Sequence, residues 1–513
     1  MHHRGLITLL LAVSVTPLSA QITLTEYTGR RNAFAARLGD GVFVARGAEP
    51  PVQDYLSFFQ SPGFLYLTGY REAGAVVMMT KRGADVQWTL FVESKNPAVE
   101  VWSGYRYGPQ AAGAATGIVA RPVEQFEAAL DSALRGAPQL SFLADLAEGG
   151  DTLNRDDRFI TEIRRRYPEL RIAGVNDVVT EMRGKKSPAE MDMIRRAAAI
   201  SMDAHREAAL ALEPGMNEFE IQALLEYTFR RNGADRPAYA SIVGSGPNAT
   251  ILHYNKDDRV MNDGELLLID AAASYGGYAV DITRTFPVNG TFTREQREIY
   301  QIVRAAQAAA ERNARPGASW RELGDSARAV IAAGLTRLGL IDSPQATYEC
   351  LGRGGQTTRC PQVGLFYMHG LGHGIGLVVH DPDQMYLGAG QIGVGSAFSI
   401  EPGIYVRAAL ADIVPNTPGN TAFIEKLRSA LTRYANIGVR IEDNYVVTDN
   451  GLEWISCVVR EADEVEALMR EPYRGPVARD AERVKWYGAA VADPALAGRV
   501  PAGRPKACNL PRM

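Results

Sequence analysis

The 513 residues of this chain exceed what one ordinary hydrophobic core can organise, so two domains or more are expected. Apolar residues make up 46% and charged residues 22%, the balance of a soluble globular protein, and a net charge of −4 gives no electrostatic basis for binding nucleic acid or an anionic membrane.

The first twenty residues read as a secretory signal peptide: a basic start, MHHRG, an apolar run from Leu6 to Val15, and a small-residue cleavage site at Leu18-Ser19-Ala20. That run is too short to span a bilayer, and no later stretch approaches about twenty apolar residues. A mature chain starting near Gln21 is therefore expected in an exported compartment, periplasmic or secreted. Residues 21–175 alternate helix-like stretches such as Glu26 to Leu38 with short apolar runs such as Ala75 to Met79 and Thr89 to Val92, which predicts an α/β domain. The basic segment MRGKKSP marks a linker, and Ser187-Pro188-Ala189-Glu190 is a capping-box helix start with proline at the first helical position. Helices are predicted from about Pro188 to Leu212, ending at Pro214-Gly215, and from Asn217 to Asn232, stopping at Gly233. Strand-rich segments then alternate with two more helices, Thr293 to Ala314 and Ser319 to Leu338, which sets a second domain at 185–470. The tail, 471–513, is rich in Pro, Ala and Gly and is expected to be an extended strap or disordered.

Export changes how the cysteines are read. Of three connectivities, Cys350 with Cys360 and Cys457 with Cys508 is favoured, free thiols being the alternative, and no CxxC spacing supports a thiolate metal site.

The chemistry concentrates in the second domain. ELLLIDAAASYGGYAVDITRTFPV reads as strand, Gly-Gly turn, strand, and a hairpin reversing near Tyr275 to Gly277 would set Asp270 opposite Asp281, about 5 Å apart at Cβ. Two carboxylates that close repel unless a cation lies between them, and a two-metal site would use them to activate water, ordinary hairpin aspartates facing solvent being the plainer alternative. Outside the signal segment five histidines remain, and His369, His373 and His380 fall together in FYMHGLGHGIGLVVHD. His369 and His373 have helical zinc-pair spacing, but the glycines between them argue against a regular helix and let the backbone come close to something while a few side chains turn inward. His205, in the first long helix, is assigned no role. Glu401, in AFSIEPGIYV, and Glu442, in IGVRIEDNYVV, lie in apolar strands where a lone carboxylate is costly. An ion pair such as Glu442 with Arg440 is the plainer alternative. Four carboxylates and one imidazole form a hard, oxygen-rich shell suited to manganese, with zinc, cobalt or iron as alternatives.

SIVGSGPNATILHYN, LLLIDAAASYGGYAVDITRTFPVNGTFTREQREIY, MHGLGHGIGLVVHD, SIEPGIYV and GVRIEDNYVVT resemble, in order, signature segments of the aminopeptidase P branch of the family that also holds prolidase, methionine aminopeptidase and creatinase. The resemblance implies an α/β N-terminal domain and an α+β catalytic domain of the pita-bread (creatinase/aminopeptidase-like) fold. It further implies hydrolysis of the Xaa-Pro bond at peptide N-termini with two divalent metals, most simply Mn2+, with Zn2+ or Co2+ as alternatives. Asp270 would be a terminal ligand, Asp281 and Glu442 bridging ligands, and His373 and Glu401 the ligands of the other metal. Glu401 would also shuttle a proton. His253, in ILHY, would contact the developing oxyanion, and His380, in VVHD, the substrate near the scissile bond, while His369 and Arg440 would line the proline pocket. SFFQSPGFLYLTGY resembles the family's amino-terminal domain, and VWSGYRYGPQAA its tryptophan loop, which offers Trp102 as a contact from a neighbouring subunit of a dimer or tetramer. Two stretches depart from compact members, Ala346 to Gln362 and Arg407 to Asn436, and both could reshape the mouth of the site. Prolidase and a non-catalytic module on the same fold are the rival readings.

Overall fold

The computed structural model describes residues 22–51, 57–144, 155–352 and 354–476. The N-terminal domain is built on a six-stranded sheet in the order Val119–Pro122, Asp85–Val92, Val76–Arg82, Gly41–Arg46, Gln139–Leu143, Arg171–Gly174. Its central pairs are antiparallel and its flanking pairs parallel. Alternation along the strands decides what each face does. Val42, Val44, Val76, Met78 and Phe91 point into a small core under Phe126, Leu130 and Phe142. Their neighbours Phe43, Ala45, Val77, Met79 and Leu90 point the other way, against Phe34 of the helix Leu24–Arg37, into a core that continues without a break into the second domain.

The second domain runs twice through a pair of helices followed by strands. The first pair is Pro188–Ala211 and Glu218–Arg231, the second Arg294–Asn313 and Trp320–Arg337. Three of these helices start at complete capping boxes, Ser187 with Glu190, Asn217 with Glu220 and Thr293 with Gln296, so their predicted starts hold to within a residue. The strands after each pair form two antiparallel sheets: Ile242–Ser245, Leu266–Asp270 and Thr283–Pro287, then Ala397–Ile400, Asp443–Thr448 and Gly451–Trp454. Fully buried Arg284 laces the halves together, donating to the carbonyl of Glu442 (2.6 Å), to Asp443 (2.6 Å) and to the carbonyl of Val458 (2.8 Å).

One expectation changes, the hairpin register, and two others gain detail. The linker is no loose connection: Lys186 is buried and gives its ammonium to Asp381 (2.9 Å), which Arg183 also grips, because Asp381 is itself buried and needs the charge. The hairpin register differs from the symmetric one. Its reversal is a two-residue Gly276-Gly277 turn, both at positive φ, so Tyr275 pairs with Tyr278 and Asp270 with Thr283. Asp281 is thus diagonal to Asp270. Third, the insertions 346–362 and 407–436 are one unit. The first is a hairpin, Thr347–Leu351 with Thr357–Pro361, closed by the expected Cys350–Cys360 disulfide. Asn420, just ahead of the helix Thr421–Tyr434, receives Glu349 N (2.9 Å) and donates to its carbonyl (2.8 Å), while Tyr348 packs on Phe423. The leader, Cys508 of the second expected bridge, and the tail from 477 lie outside the described residues. Among the described residues no helix is long and apolar enough to cross a membrane.

Candidate metal centre

Four carboxylates collect where the chain switches from one sheet to the next. Asp270 ends the strand Leu266–Asp270, and Asp281 lies between Tyr278–Ala279 and Thr283–Pro287. In the second half Glu401 separates Ala397–Ile400 from Gly403–Val406, and Glu442 lies between Ile437–Arg440 and Asp443–Thr448. Ile400 pairs with Asp443 and Gly403 with Arg440, so the register puts Glu401 opposite Glu442. The facing geometry expected of the aspartates is therefore found in the glutamates. Where ladders break, side chains leave the alternation of the sheet, and acids from different strands converge.

His373 reaches this cluster by the close backbone approach its glycines allow. The segment lies along Ala397–Ile400, with Ser399 N donating to His373 O (2.8 Å), Glu401 N to Leu371 O (2.7 Å) and Ile375 N to Ala397 O (2.9 Å). A Cβ on Gly372 would sit 2.1 Å from Ser399 O, and one on Gly374 2.3 Å from Asp381 O, so only glycine fits at either place. The His373 Nε2 then lies 3.2 Å from Asp281 Oδ2, 3.6 Å from Glu401 Oε1 and 3.9 Å from Glu442 Oε1.

The ligand atoms fall into overlapping groups, each within 4.8 Å: Asp270, Asp281 and Glu442; His373, Glu401 and Glu442; Asp281, His373 and His380. Glu442 is common to the first two. Their electrostatics fit a cation. Burial, and then the neighbouring carboxylates, push Asp281 and Glu442 well above the carboxylate range, and burial followed by Glu442 pushes Glu401 up to about 8. Burial would raise Asp270 too, but Arg440 and the Tyr239 hydroxyl outweigh it and hold Asp270 low. Buried Glu442 Oε1 has no hydrogen-bond partner among the described residues, while Oε2 accepts from Thr283 Oγ1 (2.8 Å). An orphaned oxygen aimed at three other acids and an imidazole is the arrangement that hard divalent ions satisfy.

The other expected residues surround this centre. His369 Nε2 lies 2.8 Å from the Tyr405 hydroxyl, and Arg440 donates to that hydroxyl (2.9 Å), to Thr283 Oγ1 (3.1 Å) and to Asp270. The plainer pairing of Arg440 with Glu442 is not formed; Asp270 takes that place. Burial, then Arg440, lowers His369 to about 3. His380 has its ring 4.0 Å from that of His373; loss of solvent around it, then His373 and His253, lower it to about 4. His253 is exposed and close enough for its charge to act on both His369 and His380. Trp102 stands apart, 79% exposed beside Tyr105 at 96%, on and just after the helix Pro97–Ser103.

Four further participants are not among those read from the sequence, and three of them carry no signal in its pattern. Tyr239 donates its single hydroxyl proton between Asp270 Oδ1 (2.6 Å) and Asp281, Thr283 holds Glu442, Tyr405 joins His369 to Arg440, and Asn444 brackets the backbone of Asp281. Isolated hydroxyls and amides in strands have no distinguishing spacing; Thr283 alone could have been found, two residues after a ligand on the same strand face.

The model of metallopeptidase family M24 matches residues 192–449, and that of the aminopeptidase P N-terminal domain matches residues 27–141. A Xaa-Pro aminopeptidase of Haemophilus influenzae is 34% identical over 417 residues, 80% of this chain and 88% of that protein. A Xaa-Pro dipeptidase of Rattus norvegicus is 34% identical over 314 residues, but these are 57% of this chain and 61% of that protein. The structure of zinc-substituted Escherichia coli aminopeptidase P in complex with product superposes with a TM-score of 0.73 at 31% identity, covering 88% of this chain and 98% of that one.

Proposed function

The chain belongs to the aminopeptidase P branch of metallopeptidase family M24 and is an Xaa-Pro aminopeptidase of the pita-bread fold, and from that premise we propose an exported, dinuclear enzyme that frees the residue before proline at peptide N-termini. The observation that carries the dinuclear reading is the sharing of Glu442 between two ligand groups. Asp270 and Asp281 complete one group, and His373 and Glu401 the other, with Asp281 and Glu442 between them. Manganese is the first choice for this oxygen-rich set, with zinc or cobalt as alternatives. When bound, two such ions supply Lewis acidity at the scissile carbonyl and acidify water near neutral pH.

The chain's own residues do the rest. Glu401, 3.6 Å from the His373 imidazole, is assigned to pass a proton to the leaving proline nitrogen. Like any amide nitrogen it leaves as an amine only once it has gained a proton, and in the Xaa-Pro amide it brings no hydrogen of its own. His253 and His380, both exposed, are assigned to donate to the developing oxyanion and to orient the scissile bond, a preorganised donor being worth roughly 3 kcal/mol. His369 and Arg440 meet on Tyr405 and form the wall we assign to the proline ring. We assign Trp102 to contact with peptide bound by a neighbouring subunit, in a dimer or tetramer. Residues 1–20 are proposed as the export signal, which places the mature enzyme in the periplasm or outside the cell.

The test is metal analysis of the purified protein alongside an assay of Xaa-Pro dipeptides and Xaa-Pro-Xaa peptides. Two equivalents of metal and cleavage of the longer peptides are expected. Cleavage of dipeptides alone would select prolidase activity, against which the fuller match to aminopeptidases argues.

A further inference from the structure

Beneath exposed His253, the segment 245–259 is fastened to one buried carboxylate. Glu218, in the first turn of the helix Glu218–Arg231, is 0% exposed. Its Oε1 accepts from Ser245 N (2.6 Å), Ser245 Oγ (2.7 Å) and Asn248 Nδ2 (3.1 Å). Its Oε2 accepts from Tyr254 Oη (2.8 Å) and Arg259 N (3.0 Å). All of these donors lie in the segment that carries His253, and Tyr254 is its immediate neighbour. A carboxylate buried under a surface loop is costly unless saturated with hydrogen bonds, and this one is saturated.

A second set of contacts stiffens the same segment. Asp257, 1% exposed, takes a left-handed backbone (φ 49°) and receives Val243 N (3.0 Å). Such a conformation persists in a non-glycine residue where the surroundings hold it. Arg259 grips Glu265 with two bonds of 2.6 Å and reaches Ser245 Oγ (2.7 Å). The tip, by contrast, leaves Ile251, His253, Asn255 and Lys256 exposed. A polar, over-determined base under an exposed tip holds a side chain in place.

We propose that Glu218 is a positioning residue that fixes His253 at the mouth of the metal centre, acting through Tyr254 and the backbone of 245–259. This rests on the reading of His253 as an oxyanion donor. The test is steady-state kinetics of the metal-loaded enzyme on an Xaa-Pro-Xaa peptide, with metal content measured, for Glu218→Gln, Tyr254→Phe and His253→Ala and for each of the first two combined with the third. His253→Ala is expected to lower kcat roughly 100-fold. Glu218→Gln is expected to lower kcat roughly tenfold and Tyr254→Phe somewhat less, with KM and metal content nearly unchanged. In the His253→Ala background neither should reduce kcat further. Losses that multiply in the double variants overturn the proposal, as does wild-type kcat in Tyr254→Phe, which decides the matter if Glu218→Gln does not fold. Full activity in His253→Ala sinks the reading of His253 itself, and it is distinguishable because it shows in the single variant.

Discussion

Buried in the helix Pro188–Ala211, His205 places Nε2 2.8 Å from the carbonyl oxygen of Ala271, beside Asp270, with Nδ1 lacking a partner among the described residues. Only the neutral ring protonated on Nε2 suits both atoms. Burial accordingly lowers this histidine from 6.5 to about 4. On acidification the unfolded chain takes up the proton near pH 6.5 and the folded chain not until about pH 4. This contribution to stability is therefore present above pH 6.5 and lost across that window, by about 3 kcal/mol in all. Urea midpoints measured against pH should fall through that range, and His205→Gln, which keeps a donor for Ala271, should flatten the fall; an equal slope in both proteins refutes the assignment. His205 is one histidine among five outside the signal segment, and nothing in its helical spacing announces a backbone partner 66 residues on. The five residues proposed to hold metal are legible for the opposite reason. An acid in an apolar strand, or a histidine among glycines, is expensive to place, so His373, Glu401 and Glu442 draw attention from pattern, whereas Asp270 and Asp281 are weak on spacing alone and gain their roles from the family resemblance.

Elements are legible where local chemistry sets their limits. Ser187, Asn217 and Thr293 cap helices by contacts within their own first turns, whereas the register of Asp270 depends on a two-residue turn whose centre composition alone could not locate. The segment MRGKKSP reads as a linker because its charges look solvated, and only the fold reveals Asp381 as their target. That clamp bears on the site, since Asp381 follows His380 and its amide donates to Gly374 O (2.8 Å), next to His373. Lys186→Met should cost about 3 kcal/mol of stability, Arg183 retaining Asp381, and should speed amide exchange across 374–383. Unchanged protection there would show that the linker does not brace the histidine segment. The Cys350–Cys360 hairpin makes a different element-scale case. Its closed loop is short, with a sequence separation of 10, and it leans on the helix Thr421–Tyr434 through Asn420. The double variant Cys350→Ser, Cys360→Ser should lose roughly 2–3 kcal/mol in denaturant titration while keeping kcat on short peptides. A collapse of kcat would place the hairpin in the machinery of cleavage.

At the scale of the molecule, the N-terminal sheet shares one of its faces with the core of the catalytic domain, so the two are expected to unfold together. The charge balance at the centre of that joint structure is unfavourable without metal: Asp270, Asp281, Glu401 and Glu442 crowd around His373, with Arg440 committed to Asp270. Removing metal should therefore lower the thermal midpoint, and adding manganese, the metal proposed, at about 1,000 times its Kd should return about 4 kcal/mol per ion bound. Asp281→Asn separates this account from simple loss of packing. The amide removes one repelling charge, so the metal-free variant should melt above the metal-free wild type. An amide also bridges two cations poorly, so manganese should no longer raise the midpoint and Xaa-Pro-Xaa cleavage should vanish. The measurement is a pair of melting curves, in chelator and in manganese, for each protein. A wild type indifferent to chelator, or an Asp281→Asn variant less stable than wild type in chelator, would mean that the four acids are held by something other than metal.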